Sequence, residues 1–133
     1  LMKILTMKVV QMTNEIIKTI VEYLNSNGIN AVGNEATNEL EYPYAVVTMS
    51  RLNRNDNISL WSLEVNVWDK HKYYSRAETI SDNIDKLLDF ARLKSGDNLI
   101  CIFESQKNNL KDTDPAIKRV NMRFDMNIYE SEN

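Results

Sequence analysis

Tyr42-Pro43-Tyr44 opens the stretch that decides the fold. Behind it Ala45–Met49 is apolar, Asn53-Arg54-Asn55-Asp56-Asn57 is polar, and Leu60-Trp61-Ser62-Leu63-Glu64-Val65-Asn66-Val67-Trp68 alternates. Pro43 crowds the residue before it and pushes Tyr42 toward an extended backbone. The spacing then predicts a strand from Tyr44 to about Leu52. Asparagine and aspartate hydrogen-bond to nearby backbone and tolerate positive φ, so Asn53–Asn57 reads as a reversal. In the returning strand Trp61, Leu63, Val65 and Val67 share one face, and Ser62, Glu64 and Asn66 share the other. Trp68 falls on the polar side, which places a large ring at a rim or a contact surface.

Upstream, Met2 to Asn27 reads as one long helix. Ile4, Met7, Val10, Ile17, Val21 and Leu24 recur on one face, and Leu5, Val9, Met12, Ile16 and Ile20 widen it. Asn27-Gly28 is a helix stop, because glycine takes the left-handed conformation that closes the last turn. The stripe is wider than one sheet contact needs. It fits deep burial in its own domain or sharing with a neighbouring subunit, and the sequence leaves both open. A short edge strand near Asn30–Val32 is expected within an otherwise polar segment.

Downstream, Ser75-Arg76-Ala77-Glu78 has the form of a capping box. Ala77, Ile80, Ile84, Leu87, Leu88 and Ala91 form the apolar stripe of a second helix, opposite Arg76, Asp82, Asp85, Lys86 and Asp89, and Ser95-Gly96 is expected to end it. Leu99–Phe103 is a short apolar strand, Glu104–Pro115 a polar connection, and Arg119–Tyr129 a strictly alternating strand. Val120, Met122, Phe124, Met126 and Ile128 face inward there, so a one-residue slip would bury every charge. The order is α-β-β-(β)-α-β-β. It predicts an α+β fold in which two helices pack on a mostly antiparallel sheet of four to five strands.

At 133 residues the chain is expected to form one domain spanning 1–133, large enough to hold a core without disulfide or metal. The net charge of −3 argues against duplex DNA as a bound ligand, because phosphate neutralisation favours a basic protein. Cys101 is the sole cysteine, which excludes a disulfide within the chain and a multi-cysteine zinc site. No run is long enough to span a bilayer as a helix, and the polar-broken N-terminus lacks a signal peptide's apolar block. A protein made and kept in a cytoplasm is expected.

The search for chemistry returns little. Gly28, Gly33 and Gly96 lie too far apart for a phosphate loop, and no Gly-x-Ser-x-Gly, His-Glu-x-x-His or EF-hand pattern occurs. Asp69 with His71 offers two metal ligands against the usual three or four. Asp112 and Asp114 fit a turn before Pro115 better than a calcium loop. Cys101 and His71 share no recognisable spacing. Lys70, Lys72 and Arg76 flank Tyr73 and Tyr74, a pattern that can serve single-stranded nucleic acid. Elsewhere, however, Arg119 and Arg123 are offset by Glu64 and Asp125. No catalytic, cofactor or metal residue is assigned, and the chain is not expected to be an enzyme.

Tyr42-Pro43-Tyr44, Glu64-Val65-Asn66-Val67-Trp68-Asp69, the Ser75–Leu88 helix and the Arg119–Tyr129 strand together resemble the tail terminator (tail completion) proteins of tailed bacteriophages. The resemblance spans nearly the whole chain on short, structural motifs, and it implies assembly. Such proteins form a ring, commonly of six subunits, on the head-proximal end of the tail tube. The ring ends tube polymerisation and presents a surface to the neck or head connector, while DNA passes through its lumen. The implied partners are copies of the chain itself, the tail tube protein and the connector protein. The implied location is the head–tail junction of a virion or phage-tail-like particle made in a bacterial cytoplasm, with no membrane.

Closed rings need head-to-tail contacts, and three polar segments are the expected contact sites. They are the Arg51–Asn57 turn with Arg51, Arg54 and Asp56; the Trp68–Tyr74 loop with Trp68, Asp69, His71 and Tyr73; and the Glu104–Pro115 connection with Lys107, Lys111 and Asp112. The alternatives are another neck or head-completion component and a small cytoplasmic enzyme or ligand-binding module. The last would require convergent polar groups in a pocket.

Overall fold

The computed structural model describes the backbone of residues 2–34 and 40–130 and the side chains of 12–34 and 40–130. The chain order is α1 (Met2–Ser26), β1 (Ala31–Gly33), β2 (Tyr44–Asn55), β3 (Ile58–Lys70), α2 (Ser75–Leu88), β4 (Arg92–Ser95), β5 (Asn98–Lys111) and β6 (Ile117–Tyr129). The strands form one sheet in the order β1-β2-β3-β6-β5-β4. Among the described residues only β1 with β2 is parallel; the other pairings are antiparallel. The architecture is α+β and mostly antiparallel as expected, but the sheet has six strands rather than four to five, and the element order is α-β-β-β-α-β-β-β rather than α-β-β-(β)-α-β-β.

The additional strand comes from the end of the second helix. α2 stops at Leu88, Phe90 takes a φ of 60°, and Arg92–Ser95 pairs with Asn98–Cys101. Gly96, at φ +60°, therefore turns a hairpin and does not end a helix. The expected polar connection after Phe103 is corrected too. Glu104–Lys111 continues β5 and pairs with β6 through a register shift between Glu104 and Gln106. Apart from Leu110 its side chains are polar, and six of these eight residues are exposed, while the ladder to β6 supplies the backbone partners. The Asn53–Asn57 reversal shortens to Asp56-Asn57, with Asp56 at φ 50°, because Asn53, Arg54 and Asn55 stay paired with β3. The expected capping box does not form. Glu78 N–H donates to the Tyr74 carbonyl, and the Glu78 carboxylate accepts from Asn109 of β5. The Tyr42–Pro43 peptide is cis.

Both helices cover one face. Ile16, Ile20 and Leu24 of α1 and Ala77, Ile84 and Leu88 of α2 join Ala45, Val47, Leu63, Val65, Val67, Ile100, Ile102 and the inward residues of β6 in one apolar cluster. The expected inward positions of β3 and β6, Trp61, Leu63, Val65 and Val67 and Val120, Met122, Phe124, Met126 and Ile128, are all buried, and on the other face Asn66 and Asn121 are buried too. On α1 the residues that widen the stripe, Ile16 and Ile20, are as fully buried as Leu24 of the main stripe, so from Met12 onward the width is used within the domain. The expected contacts of Ile4 to Val10 lie outside the described side chains. A Cβ on Gly33 would stand 2.6 Å from Ile17 Cγ2, so α1 rests directly on β1. The Tyr23 hydroxyl donates to the Leu87 carbonyl at 3.1 Å and ties the two helices together.

Candidate assembly interface

The sheet's second face carries no helix among the described residues, and its centre is a polar array. Asn66 of β3 lies opposite Asn121 of β6, and Trp68 opposite Arg119. Asn121 Nδ2 donates to Glu64 Oε1 at 2.7 Å and to Asn66 Oδ1 at 2.9 Å. Arg119 Nε donates to the same Asn66 Oδ1 at 3.0 Å, and its guanidinium lies 4.8 Å from the centre of the Trp68 ring. Asn66 and Asn121 are buried although no helix covers them among the described residues. Satisfied in this way the amides stiffen the surface; with one partner missing they would be costly. Sequence reading put Glu64, Asn66, Asn121 and Arg119 on the outward face but did not join them. The joining depends on the β3–β6 register, which neither strand carries alone.

The sheet's two edges are notched in opposite halves. β1 covers β2 only at Ala45–Val47, and Asn34 N–H adds one bond to the Val47 carbonyl. From Thr48 to Asn55 no strand lies along the outer edge of β2 among the described residues, and Ser50–Asn55 are exposed. β4 covers β5 only at Asn98–Cys101. Ala91 then accepts from Ile102 N–H, and Asp89 Oδ1 accepts from Glu104 N–H at 2.8 Å. Beyond that point the outer edge of β5 also has no strand beside it among the described residues.

The three expected contact segments fall at two ends of the molecule. Arg51, Arg54 and Asp56 are exposed on the free part of β2 and its turn, and Arg54 pairs with Glu130 at 3.0 Å. Trp68, His71 and Tyr73 sit at the far end of β3, and Lys111 and Asp112 are brought to that same end, since Lys111 and Asp69 both pair with Lys118. Lys107 stands apart, in an ion pair with Asp82 of α2. Asp69 differs from the rest. It is wholly buried and takes two hydrogen bonds from Arg76, at 2.9 Å from Nε and 2.5 Å from Nη2. That hydrogen bonding raises the Arg76 pKa further, and the pair anchors the start of α2. Asp112 and Asp114 shape the β5–β6 turn as expected, each accepting a backbone N–H two residues on. Lys70, Lys72 and Lys118 line a shallow basic groove with His71 beside that turn.

One cluster was not foreseen. Carboxylate oxygens of Asp85, Asp89 and Glu104 lie within 4.8 Å of one another, where the end of α2 meets the register shift of β5. The hydrogen bond with Asp85, burial and the charges of Asp85 and Asp89 push the Glu104 carboxyl up to about 7, and Lys107 only partly opposes them. The sequence showed Asp85 and Asp89 on one helix face, but Glu104 belonged to a connection with no expected position. Catalysis by Cys101 and His71 is geometrically excluded. Cys101 pairs with Asn127 of β6, whereas His71 follows Lys70, which pairs with Ile117. Ten residues of β6 separate these rows, roughly 33 Å along a strand.

No family model matches the chain, and no curated protein matches it. Among solved structures, the fold is similar to that of a chain in the virion of a native gene transfer agent particle, with a TM-score of 0.65 at 9% identity, over 80% of this chain and 84% of that one.

Proposed function

We propose that the protein is a structural component of a phage-like particle: a tail terminator that caps the head-proximal end of the tail tube as a ring. The observation that carries this reading is the fold shared with a virion chain over 80% of the length, which agrees with the resemblance of the Tyr-Pro-Tyr entry and the Val-Asn-Val-Trp strand. The surface suits assembly. Two sheet edges expose backbone donors and acceptors, the usual sites of strand addition. The polar loops at both ends supply contacts to unlike partners, since polar rims set specificity. In this role the ring stops tube growth, offers its outer surface to the connector, and lets DNA pass through a lumen that must not bind phosphate tightly.

The test is negative-stain electron microscopy of the concentrated protein, alone and mixed with purified tail tubes. Closed rings seated on one tube end support the terminator. Rings that bind only the portal side point to a head-completion component. Particles that neither close into rings nor bind a tube end remove the assembly reading.

A further inference from the structure

The two notches in the sheet are complementary, and their heights can be read from the strand register. The rows Met49–Leu63–Phe124–Glu104 and Arg51–Trp61–Met126–Ile102 cross the whole sheet. β4 fills the β5 edge on the Asn98 side of these rows, and β1 fills the β2 edge on the other side, at the height of Lys107–Asn109. Each short strand therefore occupies the half that its counterpart on the opposite edge leaves open. If a second copy stands beside the first in the same orientation, one strand-width away, β4 of the first enters the gap beside β2 of the second. β1 of the second enters the gap beside β5 of the first. The strand directions fit. β1 runs with β2 and β2 against β3, β3 against β6, and β6 against β5. Across the joint β1 is then antiparallel to β5, and β4 is parallel to β2.

Charge fits as well. Between the two short strands, the β5 side presents Asp85, Asp89 and Glu104, while the β2 side presents Arg51. Arg51 and Glu104 point to the same face of the sheet, in rows two residues apart, about 7 Å along the strand. Lys107, the cation beside the carboxylates, is engaged with Asp82, and Arg51 forms no ion pair among the described residues.

We propose that the chain self-assembles head to tail by interlocking these notched edges, with Arg51 of one copy facing the Asp85–Asp89–Glu104 carboxylates of the next. This rests on the ring reading above and specifies its subunit contact. The two surfaces differ, so the contact is heterologous and closes into a ring when the rotation per copy permits. Exposed unlike edges on one molecule otherwise invite aggregation; here each edge is the partner of the other.

The test is charge reversal read by sedimentation velocity over a concentration series, with the circular dichroism melt as a fold control. Arg51→Glu and Glu104→Lys are both at exposed positions and each places like charges across the joint. Each is expected to weaken self-association at least about tenfold, since like-charge juxtaposition is strongly unfavourable at interfaces. The double variant Arg51→Glu/Glu104→Lys, and an equimolar mixture of the two single variants, are expected to recover most of it. If the unaltered chain assembles and the single variants assemble equally well, or the double variant fails to recover, this contact is wrong and the ring reading stands. If the unaltered chain remains monomeric up to its solubility limit, with and without tail tubes, the ring reading fails and this contact fails with it.

Discussion

The two faces of the β3–β6 ladder are built from neighbouring residues and do different work. Toward the helices, Leu63, Val65, Val67, Val120, Met122 and Phe124 are wholly buried and apolar. One residue away on the same strands, Glu64, Asn66, Asn121 and Arg119 form a hydrogen-bonded array capped by the Trp68 ring. The first face is held by area removed from water and tolerates little loss of volume. The second is held by donor–acceptor matching, and it leaves polar groups at a surface that can meet another protein. The array sits on the face that no helix covers among the described residues.

The sharpest way to break the comparison is truncation on either face of β6. Phe124→Ala is expected to cost about 3–5 kcal/mol by urea denaturation, because a wholly buried ring leaves a cavity that its neighbours cannot fill. Arg123→Ala, adjacent but exposed, is expected to change stability by less than about 0.5 kcal/mol. Equal effects would mean that the helix layer does not seal the face as described.

A smaller effect tests how closely that layer sits. Gly33→Ala is expected to cost about 1–3 kcal/mol, since the new methyl would stand 2.6 Å from Ile17 Cγ2 and force α1 off β1. The check is the thermal midpoint of the variant, alone and combined with Ile17→Ala. The second substitution should remove part of the first penalty, and simple additivity would place the two residues out of contact.

On the open face Asn121→Ala is expected to cost about 1–2 kcal/mol, because Asn66 Oδ1 and Glu64 Oε1 each lose a donor in a buried setting. The double-mutant cycle with Asn66→Ala should show strong coupling, as expected of two residues in one network. Independent effects would reduce the array to coincidental surface contacts.

The covered face was far more legible than the open one. Alternation in Leu60–Trp68 and Arg119–Tyr129 reports which residues point inward whatever the pairing partner, and the described inward positions were read correctly. Features that depend on two distant segments were not legible. Glu104–Lys111 has no apolar alternation, because its faces are wet, so only the ladder to β6 reveals it as a strand. Arg92–Ser95 was absorbed into the preceding helix because Ala91 continues the stripe, and a positive φ at Phe90 is not a position that sequence reading expects. Asp69 read as a loop carboxylate, but its partner Arg76 lies a turn away on α2 and draws it under the surface.

The acidic edge makes the last test, and its sign follows from linkage. Glu104 keeps its proton up to about 7 in the folded chain, against an ordinary value of 4.5. The hydrogen bond with Asp85 holds the proton first; burial and the charges of Asp85 and Asp89 add to it, and Lys107 from its own strand opposes. Between those two pH values the unfolded chain has released a proton that the folded chain retains. Stability from this group is therefore full below about 4.5 and falls as pH rises to about 7. The urea midpoint of the monomer should decline across that window, and Glu104→Gln should flatten that part of the profile while leaving Phe124 and the helix layer untouched. Self-association should respond oppositely, because the attraction of a neighbouring Arg51 to the cluster grows as Glu104 gains its charge. A monomer that gains stability from pH 5 to 7 through Glu104 would contradict the placement of these three carboxyls, and an assembly that weakens as Glu104 ionises would separate Arg51 from them.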